Sequence, residues 1–165
     1  MGFDLAHIIS SISKLVLRAA RNSDVGGSKD DHFEIIGDEL NTNDVSIEEN
    51  GFYNWLENAL KKLPSNIEAI NFNLYEDNDN KWSIELVGTS TFDENNSDWA
   101  CNEVYTTREK PYILAKKGNW KTIENLFTSF LLNYLERGKY AHILKECRGI
   151  GIGFVDGDLS IIYKK

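Results

Sequence analysis

The chain is poor in cysteine, in histidine and in uninterrupted apolar sequence, and each shortage excludes something. Its two cysteines, Cys101 and Cys147, are too few for a disulfide scaffold and too far apart for a C-x-x-C metal or redox motif. The three histidines, His7, His32 and His142, fall in separate segments without metal-ligand spacing. No apolar run approaches the roughly 18 residues needed to cross a bilayer. The opening MGFDLAHIISSISKLVLRAARN has neither a positive n-region ahead of its apolar part nor a small-residue cleavage site, so it does not read as a signal peptide. A chain of 165 residues with 41% hydrophobic content can bury a proper core. The expectation is one cytoplasmic domain over residues 1–165, with reduced thiols and no membrane contact.

Bases are also scarce, and unevenly so. The net charge of −8 hides a division: residues 24–109 carry 20 acids against 5 bases, while the rest of the chain is net basic. Nucleic acid is disfavoured as a partner, because phosphate binding wants a concentrated basic face. An acidic surface fits a basic protein partner; the plainer alternative is that acidic loops keep the protein soluble.

What is present is strong periodicity. Leu5, Ile8, Ile9, Ile12, Leu15, Val16 and Ala19 fall on one helical stripe. From 22 to 50 the composition turns to Gly, Asp, Glu, Asn and Ser, predicting a long acidic surface connection with one short strand at His32 to Ile36. Asn50 is placed to cap a helix striped by Phe52, Trp55, Leu56, Ala59 and Leu63 and stopped by Pro64. Ile70, Phe72 and Leu74, then Trp82, Ile84 and Leu86, alternate with Asn71, Asn73, Ser83 and Glu85, predicting an antiparallel hairpin with one wet face. Short strands are expected at Val104 to Thr106 and Tyr112 to Leu114. Asn119 caps a long helix ending at Gly138, a shorter helix runs to Gly149, and GIGIGFVDGDLSIIY closes the chain as a tight hairpin about Asp156-Gly157. On its first strand Gly149, Gly151 and Gly153 leave one face nearly bare, so a helix or an aromatic ring is expected to pack there. The order of elements predicts an α+β fold: a mainly antiparallel sheet of about five or six strands with helices packed on one face.

Catalytic and metal patterns fail one by one. The Gly149-x-Gly151-x-Gly153 run is followed by a strand, whereas a phosphate cradle needs a helix N-terminus there. The acidic loop Glu76-Asp77-Asn78-Asp79-Asn80 departs from a calcium loop at Lys81, Trp82 and Gly88, and a solvated turn fits it better. Cys101-x-Glu103 has the spacing of a zinc-deaminase ligand and acid without the Pro-Cys-x-x-Cys partner. Cys147 and His142 are five residues apart on a helix, which turns them away from each other, so Cys147 reads as core. Neither a catalytic residue, a metal nor a cofactor is expected. Trp99, framed by Asp93, Glu94 and Asp98, has two readings: an anchor for a basic partner, or a plug at the sheet's end.

The combination of NSDWACNEVYTTRE, a long helix and the closing GIGIGFVDGDLSIIY resembles small bacterial immunity proteins that accompany polymorphic or contact-dependent toxins, over roughly Ile67 to Tyr163. The resemblance implies a cytoplasmic protein that binds one cognate toxin domain, typically a basic nuclease, and blocks it without chemistry of its own. Under that reading Glu76, Asp77, Asp79, Asp93, Glu94, Asp98 and Trp99 form the partner-binding set, with charges that steer a basic domain. The alternatives are a general intracellular interaction module, or a small enzyme using a group such as Cys101.

Overall fold

A computed structural model of the chain describes residues 42–78 and 80–165. The N-terminal stripe from Leu5 to Ala19, the strand expected at His32 to Ile36, the acidic connection up to residue 41 and Asp79 lie outside the described residues.

Helix α1 (Thr42–Leu60) begins earlier than the composition indicated: the connection expected to reach Asn50 has already become helix at Thr42, and Asn50 is interior to it. The polar residues that read as loop are engaged. Glu48 receives Lys116 Nζ at 3.0 Å, and its backbone carbonyl accepts from the Tyr112 hydroxyl at 3.1 Å. Glu49 Oε1 accepts from Asn133 Nδ2 at 3.1 Å and from the Tyr53 hydroxyl, one turn on. Tertiary partners thus extend a helix that local pattern would have started nine residues later.

The remaining elements are β1 (Ala69–Asn78), β2 (Lys81–Thr89), a 3-10 turn at Ser97–Cys101, β3 (Glu103–Thr106), β4 (Tyr112–Ala115), α2 (Trp120–Arg137), α3 (Ala141–Glu146), β5 (Gly149–Phe154) and β6 (Ser160–Lys164). Both short strands expected after residue 100 are present. Asn119 caps α2 as its position predicted, its side-chain oxygen accepting from Thr122 N–H at 2.9 Å.

The strands make one six-stranded sheet in the order β3-β2-β1-β5-β6, with β4 pairing the β3 side of β2 farther along. All pairs are antiparallel except β1 with β5, which run parallel in register from Ala69 opposite Gly149 to Leu74 opposite Phe154. That pair needs a long crossover, and α2 and α3 supply it. The fold is α+β, as expected.

Alternation decides what each face carries. Ile70, Phe72, Leu74, Trp82, Ile84, Leu86, Leu114, Ile150 and Ile152 point to the helices, where Phe52, Leu56, Ile123, Phe127, Phe130, Leu131 and Tyr134 close the core. The opposite face was expected to be wet, and it is not. Asn71, Ser83, Glu85 and Thr89 are all buried. The segment between β2 and β3, residues 90–102, lies over this face as a flap and brings two aromatic rings to β5. A side-chain carbon on Gly149 would collide with the Phe92 ring, and one on Gly151 would lie 3.2 Å from the Trp99 ring. The bare strand is therefore filled by rings from elsewhere in the chain.

The closing hairpin is looser than Asp156-Gly157 indicated. Residues 155–159 separate its strands, with Gly157 N–H donating to Phe154 O at 2.9 Å. The extra length brings Asp158 O to 2.6 Å, and Leu159 Cα to 3.2 Å, of where a Gly153 side chain would begin, and Leu159 Cδ2 reaches the same space over Gly151. The loop covers the part of the glycine strip that the flap does not.

Candidate functional site

The sheet's register brings together a site that linear sequence scatters. Because β1 and β5 are parallel and their pairing ends at Leu74 and Phe154, the residues beyond that point in each chain segment emerge at the same end of the sheet, beside the start of α2. Val155 N–H donates to Leu74 O at 3.2 Å and holds the two exits together. Between them opens a cleft of about 790 Å³. Tyr75, Phe154, Val155 and Trp120 supply its apolar lining, Glu76, Glu124, Asp156 and Asp158 its acids, and Lys121 the single base. Trp120 is 56% exposed, its ring edge-on to Phe154 with centroids 6.5 Å apart. An exposed indole set among carboxylates offers a flat apolar surface and negative charge in one place, which suits a cation on an apolar stem.

The carboxylates of this cleft are uncommitted. The five ion pairs among the described residues use Glu48, Glu68, Glu85, Glu94 and Glu103. None of the four cleft acids is among them.

The acids expected to act together do not form one patch. Glu76 and Asp77 stand at the β1–β2 turn; Asp77 accepts from Ser83 Oγ at 3.3 Å, and Glu76 lines the cleft. Asp93, Glu94 and Asp98 belong to the flap, whose Phe92 sits over Gly149 at the opposite end of β1 and β5. At about 3.3 Å per residue, the strand from Ala69 to Asp77 separates the groups by roughly 25 Å. The flap acids also have local duties. Glu94 pairs with Lys164, Asp93 Oδ1 accepts from Asn95 N–H at 2.9 Å, and Asp98 sits in the first turn of the 3-10 segment capped by Asn96. Trp99 is 3% exposed, its ring edge-on to Phe92 and against Gly151. The ring therefore covers the glycine face of β5 at Gly151, which is neither an exposed anchor nor a plug at the sheet's end.

Sequence reasoning missed Trp120, Glu124, Asp156 and Asp158. Asp156 was visible only as a turn residue, and Trp120, Glu124 and Asp158 were not singled out. The signal that joins them is the parallel β1–β5 register, which local pattern does not carry.

Two other clusters look chemical but are structural. Glu85, 1% exposed, accepts from the Tyr75 hydroxyl, from Asn73 Nδ2 at 2.9 Å, from Thr106 Oγ1 at 3.1 Å, and from Arg108 Nε and Nη2 at 3.1 and 3.2 Å. Burial pushes its carboxyl pKa up, yet these hydrogen bonds together outweigh burial and hold it below the usual value. Burial, then the hydrogen bond to Glu85, raises the Tyr75 phenol. A carboxylate with its lone pairs already occupied is a fastener for the β3 segment and not a base. Cys147 is buried in the core, and burial pushes its thiol up to about 11, which leaves it protonated and unreactive. Cys101 is exposed in the flap. Among the described residues no group of three or more His, Cys, Asp or Glu is arranged to hold a metal ion, and no helix is long and apolar enough to cross a membrane.

No protein-family model matches this chain, and no curated protein or solved structure matches it either.

Proposed function

We propose that this protein is a cytoplasmic immunity protein that binds and neutralises a cognate toxin domain, and that the domain is basic, as nuclease-type toxins are. The observation that supports the reading is the cleft where the β1–β5 pairing ends: four carboxylates with no ion-pair partner among the described residues surround an exposed indole. Buried aromatic anchors give interfaces much of their energy, and unpaired charges of one sign raise the association rate with an oppositely charged partner. Trp120 fills the first role and Glu76, Glu124, Asp156 and Asp158 the second. The flap acids Asp93, Glu94 and Asp98 add long-range attraction from the far end and are not in the contact. Neutralisation on this account is steric and electrostatic masking, with no bond made or broken.

The test begins with the genomic neighbours. A neighbouring gene encoding a toxin-like C-terminal domain is expressed with and without this protein, survival is scored, and binding is measured on the purified pair. Protection with stoichiometric binding, both lost on Trp120→Ala combined with Asp156→Lys, is the expected result. Binding to a neighbouring product without toxicity would favour the general interaction module. Failure to bind any neighbouring-gene product would remove the immunity reading.

A further inference from the structure

The C-terminal end of α1 faces the turn between β3 and β4 across a groove of about 580 Å³, which shares no residue with the acidic cleft. Two half-buried aromatic side chains cross from one wall to the other and set its width. Trp55 reaches from the helix to the turn, its Nε1–H donating to Lys110 O at 2.9 Å. Tyr105 reaches from β3 to the helix, its hydroxyl donating to Ala59 O at 3.4 Å. Phe52 backs the Trp55 ring, stacked on it with centroids 5.6 Å apart. The groove therefore has an apolar base and tied walls, and a site already held in shape needs little ordering when a ligand enters.

The charge of this groove is opposite to that of the molecule. Lys61 and Lys62 stand on the helix wall and Lys110 on the facing wall, against the single acid Glu109, in a chain of net charge −8. None of the three lysines takes part in an ion pair among the described residues; Lys61 Nζ lies 5.7 Å over the Tyr140 ring, which leaves its charge uncompensated. A helix C-terminus favours cations and would account for Lys61 and Lys62. It does not account for Lys110, which comes from another element, and its carbonyls are already occupied: Glu57 O accepts from Lys61 N–H, Ala59 O from Lys62 N–H and Leu60 O from Leu63 N–H. Thr107 adds a donor, since its Oγ1 accepts from Leu86 N–H at 2.8 Å and its own proton has no acceptor among the described residues. We propose that this groove binds an acidic segment of a partner protein, an extended run in which carboxylates alternate with apolar side chains. In such a run successive side chains point to opposite sides, so apolar groups can rest on Trp55 and Tyr105 while carboxylates reach the ammonium groups of the walls. A nucleic acid fits less well, because a long polyanion meets the repulsion of the acidic molecule beyond the groove, whereas a short peptide engages the local field. The site does not depend on the partner proposed for the acidic cleft.

Titration of the full, ¹⁵N-labelled chain at low salt reads the site directly, with three probes: a capped peptide of alternating glutamate and phenylalanine, the same peptide with lysine for glutamate, and a short oligothymidylate. The glutamate peptide is expected to give saturable shifts at the Trp55 indole Hε1 and at the amides of Lys61, Lys62, Thr107 and Lys110, and the other two probes none there. Lys61→Glu with Lys110→Glu should weaken that binding by about tenfold or more, since it puts like charges against the carboxylates on both walls. Lys117→Glu with Lys145→Glu makes the same change of net charge at exposed lysines outside the groove and should leave the affinity close to wild type. No saturable shift, an equal response to oligothymidylate or to the lysine peptide, or an equal loss from the two double variants would each overturn the proposal. Should the groove variant fail to fold, the three titrations of the wild-type chain decide it alone.

Discussion

The two faces of the sheet are built on opposite logics. On the helix side large side chains from both layers interlock: Phe72, Trp82, Ile84 and Leu86 meet Phe52, Phe127, Phe130 and Tyr134, and nearly every contact is apolar. On the flap side β5 contributes no side chain at Gly149, Gly151 or Gly153, and the volume is filled by Phe92, Trp99 and Leu159 brought in from loops, beside a polar chain that ends on Glu85. The first face is stabilised by burial that any well-packed apolar residue supplies; the second depends on a few positions where size or charge is tightly prescribed. Substitutions should therefore behave differently on the two sides.

The largest effect belongs to the helix side. Phe127 is fully buried at the centre of an aromatic group with Phe52, Phe130 and Tyr112. Phe127→Ala is expected to cost about 3–5 kcal/mol, from lost transfer energy and the cavity left behind, read as the shift in a denaturant midpoint. Adding volume on the flap side comes next. Gly151→Val is expected to cost about 2 kcal/mol or more, because its side chain would press on Asn71 Oδ1 and the Trp99 ring. An unchanged melting midpoint would mean that the flap does not close on β5, and the contrast between the faces would collapse.

A smaller effect with a pH signature separates the polar chain from mere packing. Glu85→Gln keeps the shape and removes the charge that Arg108, Tyr75 and Thr106 address, at a cost of about 2 kcal/mol near neutrality. Because the folded-state pKa of Glu85 lies below its unfolded value near 4.5, its stabilisation is complete above that value and is lost as pH falls through the folded pKa. The gap between wild type and variant should accordingly be constant from pH 6 to 8 and narrow in the acid range. A gap that stays constant into acid would show that the stabilisation does not depend on the ionised form of Glu85.

Legibility in the sequence follows the same division. The helix face was readable because alternation in β1, β2 and β5 and the stripe of α2 are local, and the Asn119 cap is a local rule that the structure obeys. The glycine strip was readable as a demand for aromatic rings, though not for which rings, since Phe92 and Trp99 arrive through a flap with no periodicity. Glu85 and Asn71 misled because alternation distinguishes the two faces of a strand but does not say whether a second covering exists. The early start of α1 was invisible because Glu48 and Glu49 owe their helical state to Lys116, Tyr112 and Asn133, all distant in the chain. The cleft was hidden for a related reason: Trp120, Glu124 and Asp156 become neighbours of Glu76 only through parallel pairing. Acidity itself was plain, but its division between two ends of the sheet required the register.

The smallest effect on stability should accompany the sharpest division in binding, between those two ends. Glu76→Lys with Asp156→Lys changes cleft residues that carry no ion pair among the described residues, and Asp93→Lys with Asp98→Lys changes flap acids about 25 Å away along the strands. Away from caps and buried contacts such surface changes usually stay within about 0.5 kcal/mol, so the cleft pair should not shift the melting midpoint much, whereas the flap pair also gives up the hydrogen bond that Asp93 Oδ1 accepts from Asn95 N–H. Toward a basic partner domain, however, the cleft pair should slow association severalfold at low salt and also speed dissociation, because it alters both the approach field and the contact. The flap pair should slow association only. Its effect should fade as ionic strength passes about 0.15 M, where the Debye length is about 8 Å and a charge outside the contact no longer reaches the partner. Surface-plasmon kinetics of both double variants at two salt concentrations separate these outcomes. Equal losses in dissociation rate from the two ends would place the flap in the interface and break the assignment of the cleft as the docking site, whereas wild-type kinetics from the cleft pair would remove it altogether.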